Sequence, residues 1–152
     1  MYEPLSERVN RVVKLAHKFA REYEQEYVGT EHVLLAIANE GTGVGAQILL
    51  DHGATESKIR TEVNKLIQAS LEDTWVFGRL PGSPHFRNVV ARAIEEAQEL
   101  KSKEVCTEHL LLGLLREKGS VAYETLKTLG LSVKKVRDQI RRMTESAQAR
   151  PA

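Results

Sequence analysis

Val28-Gly29-Thr30-Glu31-His32-Val33-Leu34-Leu35 returns 77 residues later as Val105-Cys106-Thr107-Glu108-His109-Leu110-Leu111-Leu112. Working outward in the same register, Ser6–Leu66 lies over Ser83–Met143 without a gap. Eighteen of these 61 positions are identical, where composition alone gives roughly one in fifteen. Gly53 falls over Gly130, and Lys58 and Arg60 fall over Lys135 and Arg137. A match of this length is an internal duplication, and it sets the architecture.

Each copy reads as four helices. Leu5, Val9, Val12, Val13, Ala16, Ala20 and Tyr23 recur at helical spacing, as do Phe86, Val89, Val90, Ala93, Ala97 and Leu100. Thr30 and Thr107 are N-cap residue types, so the second helix of each copy is expected to start there and run through the leucine-rich stretch. The third helices are predicted over about Val44–Leu50 and Val121–Leu129, ended by Gly53 and Gly130 in the left-handed conformation. Ile59, Val63, Leu66 and Ile67 mark the fourth, matched by Val133, Val136, Ile140 and Met143. Period-2 alternation over strand lengths is missing and aromatic residues are only 5%. The expected fold is all-α, with two tandem four-helix repeats packed on each other with pseudo-twofold symmetry. The expected organisation is one domain over 1–152. Repeat one spans about 3–67, a linker about 68–82 and repeat two about 83–145, with a frayed tail over 146–152. Trp75-Val76-Phe77 in the linker is expected to lie down on the repeats.

The charge balance excludes several classes of function. Lys and Arg number 22 against 21 Asp and Glu, for a net charge of +1, so no excess gathers nucleic acid or an anionic membrane. No apolar run is long enough to span a bilayer. The start of the chain carries Glu3, Glu7 and Arg8 and lacks the apolar core of a signal peptide. A single cysteine, Cys106, fits a reducing compartment. These features point to a soluble, cytoplasmic protein, monomeric in isolation. No cofactor is called for, because the phosphate-loop pattern G-x-x-x-x-G-K-[ST] is absent. Gly41-Thr42-Gly43-Val44-Gly45 follows a helix rather than a strand, and reads as a tight helix–helix connection. No metal site is expected either. Cys106 and His109 have a C-x-x-H spacing, but Gly29 replaces the cysteine in repeat one and no second half completes a ligand set.

The repeated Thr-Glu-His triplet remains, and two readings of it stand side by side. In the first, threonine caps the helix, glutamate complements the helix dipole and histidine packs against a neighbour. In the second, the open helix N-terminus takes a phosphate or carboxylate, while Glu31 or Glu108 takes a guanidinium or amine. Such a pair suits a group with anion and cation side by side.

The doubled Thr-Glu-His-(Val/Leu)-Leu-Leu blocks resemble the Clp repeat, the N-terminal domain of ClpC- and ClpA-type AAA+ unfoldases. Ser6-Glu7-Arg8, Gly113-Leu114-Leu115-Arg116-Glu117 and the Leu126–Leu131 stretch agree, and the similarity is nearest the ClpC type. The resemblance implies a non-catalytic module that receives protein substrates and adaptor proteins for the Clp ATPase ring and, through it, the Clp peptidase. It also implies recognition of phosphoarginine at Thr30-Glu31 and Thr107-Glu108, with His32 and His109 as contributors. ClpC-type second repeats open on a Thr-Pro-Arg-Ala-like sequence, whereas Ser83-Pro84-His85-Phe86 stands here, and Cys106 stands where glycine is usual. The Thr107-Glu108 copy is therefore expected to be the weaker. Two other functions stay open: a free-standing accessory protein regulating the Clp machinery, and a small hydrolase or metal enzyme using Cys106, Glu108 and His109.

Overall fold

The computed structural model describes residues 5–24, 28–72 and 84–149. Within them lie the helices α1 (Glu7–Glu22), α2 (Thr30–Glu40), α3 (Val44–Asp51), α4 (Glu56–Glu72), α5 (Pro84–Glu99), α6 (Thr107–Arg116), α7 (Val121–Thr128) and α8 (Val133–Ala149). The fold is all-α, two four-helix repeats about a pseudo-twofold axis. Among the described residues the only strand-like pairing is a parallel bridge between Leu5 and Val105.

Helix α1 starts where Ser6 Oγ accepts the Val9 N–H at 3.1 Å. It buries Val9, Val12, Ala16, Phe19 and Ala20, a stripe at i, i+3 and i+4 spacing. Leu5, expected inside this helix, precedes it and is 39% exposed, because the chain is still extended there to pair with Val105. In α5 the matching stripe is Val89, Ala93 and Ala97. These small residues admit α6 so closely that a Cβ on Gly113 would press on the Val89 carbonyl.

Helices α2 and α6 form the centre. Val33 through Ile37 are buried without a break, as are Leu110 through Leu115, and a helical stretch apolar on all sides has no other stable place. Leu34, Leu35, Leu111 and Leu112 are fully enclosed. Helices α3 and α7 both end in a Schellman turn. Gly53 (φ +75) and Gly130 (φ +91) take the left-handed position, and the Ala54 and Leu131 N–H groups reach back to Leu49 and Leu126 at 2.8 and 3.0 Å. The duplication thus repeats its stop signals as well as its core.

Helix ends differ from expectation at two places. Helix α4 continues to Glu72, past the anticipated boundary at 67, and α8 continues to Ala149, into the stretch expected to fray. Trp75-Val76-Phe77 and residues 150–152 lie outside the described residues.

Candidate functional site

The two triplets open α2 and α6, but the threonines do not cap their own helices. Gly29 and Cys106 are the N-caps, and Thr30 and Thr107 are the first helical residues. Each threonine crosses to the other repeat. Thr30 Oγ1 accepts the Ala122 N–H at 3.1 Å, near the start of α7. Thr107 Oγ1 accepts the Gly45 N–H at 2.9 Å, near the start of α3. Residue i of one repeat meeting residue j of the other, and the reverse, is the signature of a twofold relation. The exchange satisfies two buried N–H groups that would otherwise be orphaned at helix starts. It also explains the glycine-rich connection: Gly43 and Gly45 leave room for Thr107, which a Cβ at either position would strike.

The histidines close the triplets locally. His32 Nδ1 accepts the Gly29 N–H at 2.8 Å, and His109 Nδ1 accepts the Cys106 N–H at 2.9 Å. Each ring takes the part that glutamate or glutamine plays in a capping box. This arrangement disfavours the hydrolase reading. His109 spends Nδ1 on the backbone, and burial lowers its pKa to about 4 against a weaker opposing pull from Glu96. Burial, with Glu108 and Glu104 nearby, also raises the Cys106 thiol pKa, the reverse of an activated nucleophile. Among the described residues no cluster of three or more His, Cys, Asp and Glu side chains is placed to hold a metal ion.

Glu108 opens onto a cleft of about 450 Å³ whose walls come from both repeats. Ser6, Glu7, Arg8 and Arg11 enter from α1 and its cap, Gly43 and Val44 from the start of α3, and Glu104, Cys106 and Thr107 from the approach to α6. The bridge from Leu5 to Val105, with the Ser6 N–H donated to the Val105 carbonyl at 3.0 Å, brings the starts of α1 and α6 side by side. Three helix N-termini therefore converge on one cleft, each presenting its positive dipole end. Arg8 Nε donates to Thr42 Oγ1 at 3.0 Å, and Arg11 lies 3.6 Å from Glu40. Burial works to raise the Glu40 pKa, but hydrogen bonds from Thr42 and the charges of Arg11 and Arg8 outweigh it and hold the carboxyl low. Glu108 goes the other way: burial raises its pKa, and its own backbone N–H and Arg8 offset this only in part.

Arg8, Arg11 and Glu104 are site residues that the triplet motif alone does not reveal. Only Arg8 had a signal, the Ser6-Glu7-Arg8 segment, which carries no hint of lying beside the other repeat. The basic residue facing Glu108 is Arg8, and Arg8 aligns with His85. The His85 side chain lies outside the described residues. Glu31 is 3% exposed, while Glu108 is only partly covered.

Comparison with known proteins gives a consistent picture. The chain matches the Clp repeat (R) N-terminal domain family over residues 4–78 and again over 81–151. It is 38% identical over 143 residues to an ATP-dependent Clp protease ATP-binding subunit ClpA homolog of Guillardia theta, covering 94% of this chain and 17% of that protein. It is 37% identical over 150 residues to the chloroplastic chaperone protein ClpC1 of Oryza sativa subsp. japonica, covering 98% of this chain and 16% of that one. The chain thus spans about one-sixth of the length of these relatives. In fold it is similar to the N-terminal domain of the chaperone ClpD from Arabidopsis thaliana. That likeness has a TM-score of 0.66 and 23% identity, over 90% of this chain and 94% of the other.

Proposed function

Since the chain belongs to the family of Clp repeat (R) N-terminal domains, we propose that it is the non-catalytic recognition domain of a ClpC-type ATP-dependent unfoldase. In this role it receives protein substrates and adaptors for the Clp ATPase ring and the peptidase behind it. The compartment is the cytoplasm, which its single cysteine fits. The ligand is phosphoarginine on a marked protein. The observation that carries this reading is the composition of the Glu108 cleft. Three helix N-termini with Arg8 and Arg11 suit a phosphoryl group, and Glu108 with Glu104 suits the guanidinium beside it. The Glu31 copy provides the same triplet as a second position for the same ligand.

Isothermal titration with phosphoarginine, arginine and phosphoserine tests the reading. Phosphoarginine is expected to bind best, because arginine lacks the anion and phosphoserine the cation. Glu108→Ala removes a charge-assisted contact of about 1.5–3 kcal/mol, roughly ten- to a hundredfold in affinity. Glu31→Ala has the smaller effect. Equal affinity for all three ligands, or binding untouched by both substitutions, overturns the proposal.

A further inference from the structure

The two N-cap positions differ by one side chain, and the glutamates two residues further on lie differently. Gly29 (φ −99°, ψ 171°) and Cys106 (φ −107°, ψ 176°) share one extended backbone conformation, open to any residue. Backbone geometry therefore does not require glycine at 29. Space does: a Cβ there would overlap the Glu31 carboxylate, which folds back over the Gly29 backbone. In repeat two that volume belongs to the Cβ of Cys106. Glu108 cannot fold back in the same way and instead lines the cleft with Arg8 and Arg11.

We infer that Cys106 is a positioning residue whose Cβ, not its thiol, holds the Glu108 carboxylate out in the cleft. This rests on the ligand reading above only for its consequence in binding. The thiol is not needed, and its pKa, raised mainly by burial, keeps it protonated.

The test uses the Glu31→Ala chain as parent, so that only the Glu108 copy reports. Cys106→Gly removes the Cβ and frees Glu108 to fold back, while glycine remains an acceptable N-cap. Cys106→Ala keeps the Cβ and removes the sulfur. If the folded-back arrangement takes about four-fifths to nine-tenths of the population, phosphoarginine affinity falls about five- to tenfold in Cys106→Gly. Cys106→Ala is expected to match the parent. A crystal structure of Cys106→Gly, without ligand, is expected to show the Glu108 carboxylate over the backbone at position 106. Equal losses in both variants, or a Glu108 carboxylate still in the cleft of Cys106→Gly, overturn the inference. If neither the unsubstituted chain nor this parent binds phosphoarginine, the ligand reading alone falls, because the crystal structure still decides where the carboxylate lies.

Discussion

Where the first, second and fourth helices of each repeat meet, the two copies hold the same arginine in opposite ways. In repeat one, Arg60 stacks over the Phe19 ring, 5.1 Å from its centroid, and pairs with Glu56, which also takes a hydrogen bond from Asn39. In repeat two the position of Phe19 is Glu96, 1% exposed, and that of Asn39 is Arg116. Arg137 and Arg116 reach Glu96 at 2.6 and 2.9 Å. Burial works to raise the Glu96 pKa, but its bonds to Arg137 and Arg116 win and hold it low. A ring buried at this junction attracts one cation over its face. A carboxylate buried there needs two, because an ion taken from water must have its lone pairs filled. Duplication preserved the shape of the junction and let its chemistry diverge in linked positions.

The largest effects test that contrast directly. Phe19→Ala opens a cavity and should cost about 3–5 kcal/mol. Glu96→Ala strands the Arg137 guanidinium, leaves Arg116 only its pair with Glu95 at 2.9 Å, and should cost about 2–3 kcal/mol, less than a wholly enclosed pair because both arginines reach water. Urea unfolding measures both. A Glu96→Ala chain as stable as its parent would show that the ion cluster has no net structural role.

Acid should act next, through His109 in repeat two. The folded pKa of His109, about 4, lies below its ordinary 6.5, so between these values the unfolded chain binds the extra proton. Its contribution is complete above about pH 6.5 and is lost as pH falls toward 4, on the order of 3 kcal/mol. His109→Gln keeps an acceptor for the Cys106 N–H without a titrating ring. Its unfolding midpoint is expected to fall less between pH 7 and 4.5 than that of the parent. Equal falls would place the acid sensitivity elsewhere.

The crossed threonines should give the smallest effects and sharpen the comparison most finely. Thr107→Val leaves the Gly45 N–H without its acceptor, and Thr30→Val does the same to Ala122, at about 1–2 kcal/mol each. The loss should be greater for Thr107. Helix α3 has only Gly43 as N-cap, whereas α7 keeps Ser120, whose Oγ accepts the Tyr123 N–H at 3.1 Å. Thermal unfolding of the two variants decides the order.

What was legible in the sequence was everything set by local periodicity or by the repeat itself. The apolar stripes of α1 and α5, the buried leucines of α2 and α6, and the left-handed stops at Gly53 and Gly130 depend on neighbours within a few residues. A helix with no polar face has to become core, whatever surrounds it. The glutamates were legible as repeated residues, though not in their placement. Thr30 and Thr107 were misassigned as caps of their own helices, because residue type gives the capacity to accept an N–H and not the identity of the donor. Those donors, Ala122 and Gly45, lie 92 and 62 residues away. The same distance hid Arg8 and Arg11 from Glu108. One Cβ, present at Cys106 and missing at Gly29, mattered only once Glu31 was seen occupying its volume. The sequence determined the helices and their apolar faces through interactions between near neighbours. Only the tertiary structure decided which repeat completes which site, because the twofold packing brings together groups that no local pattern connects.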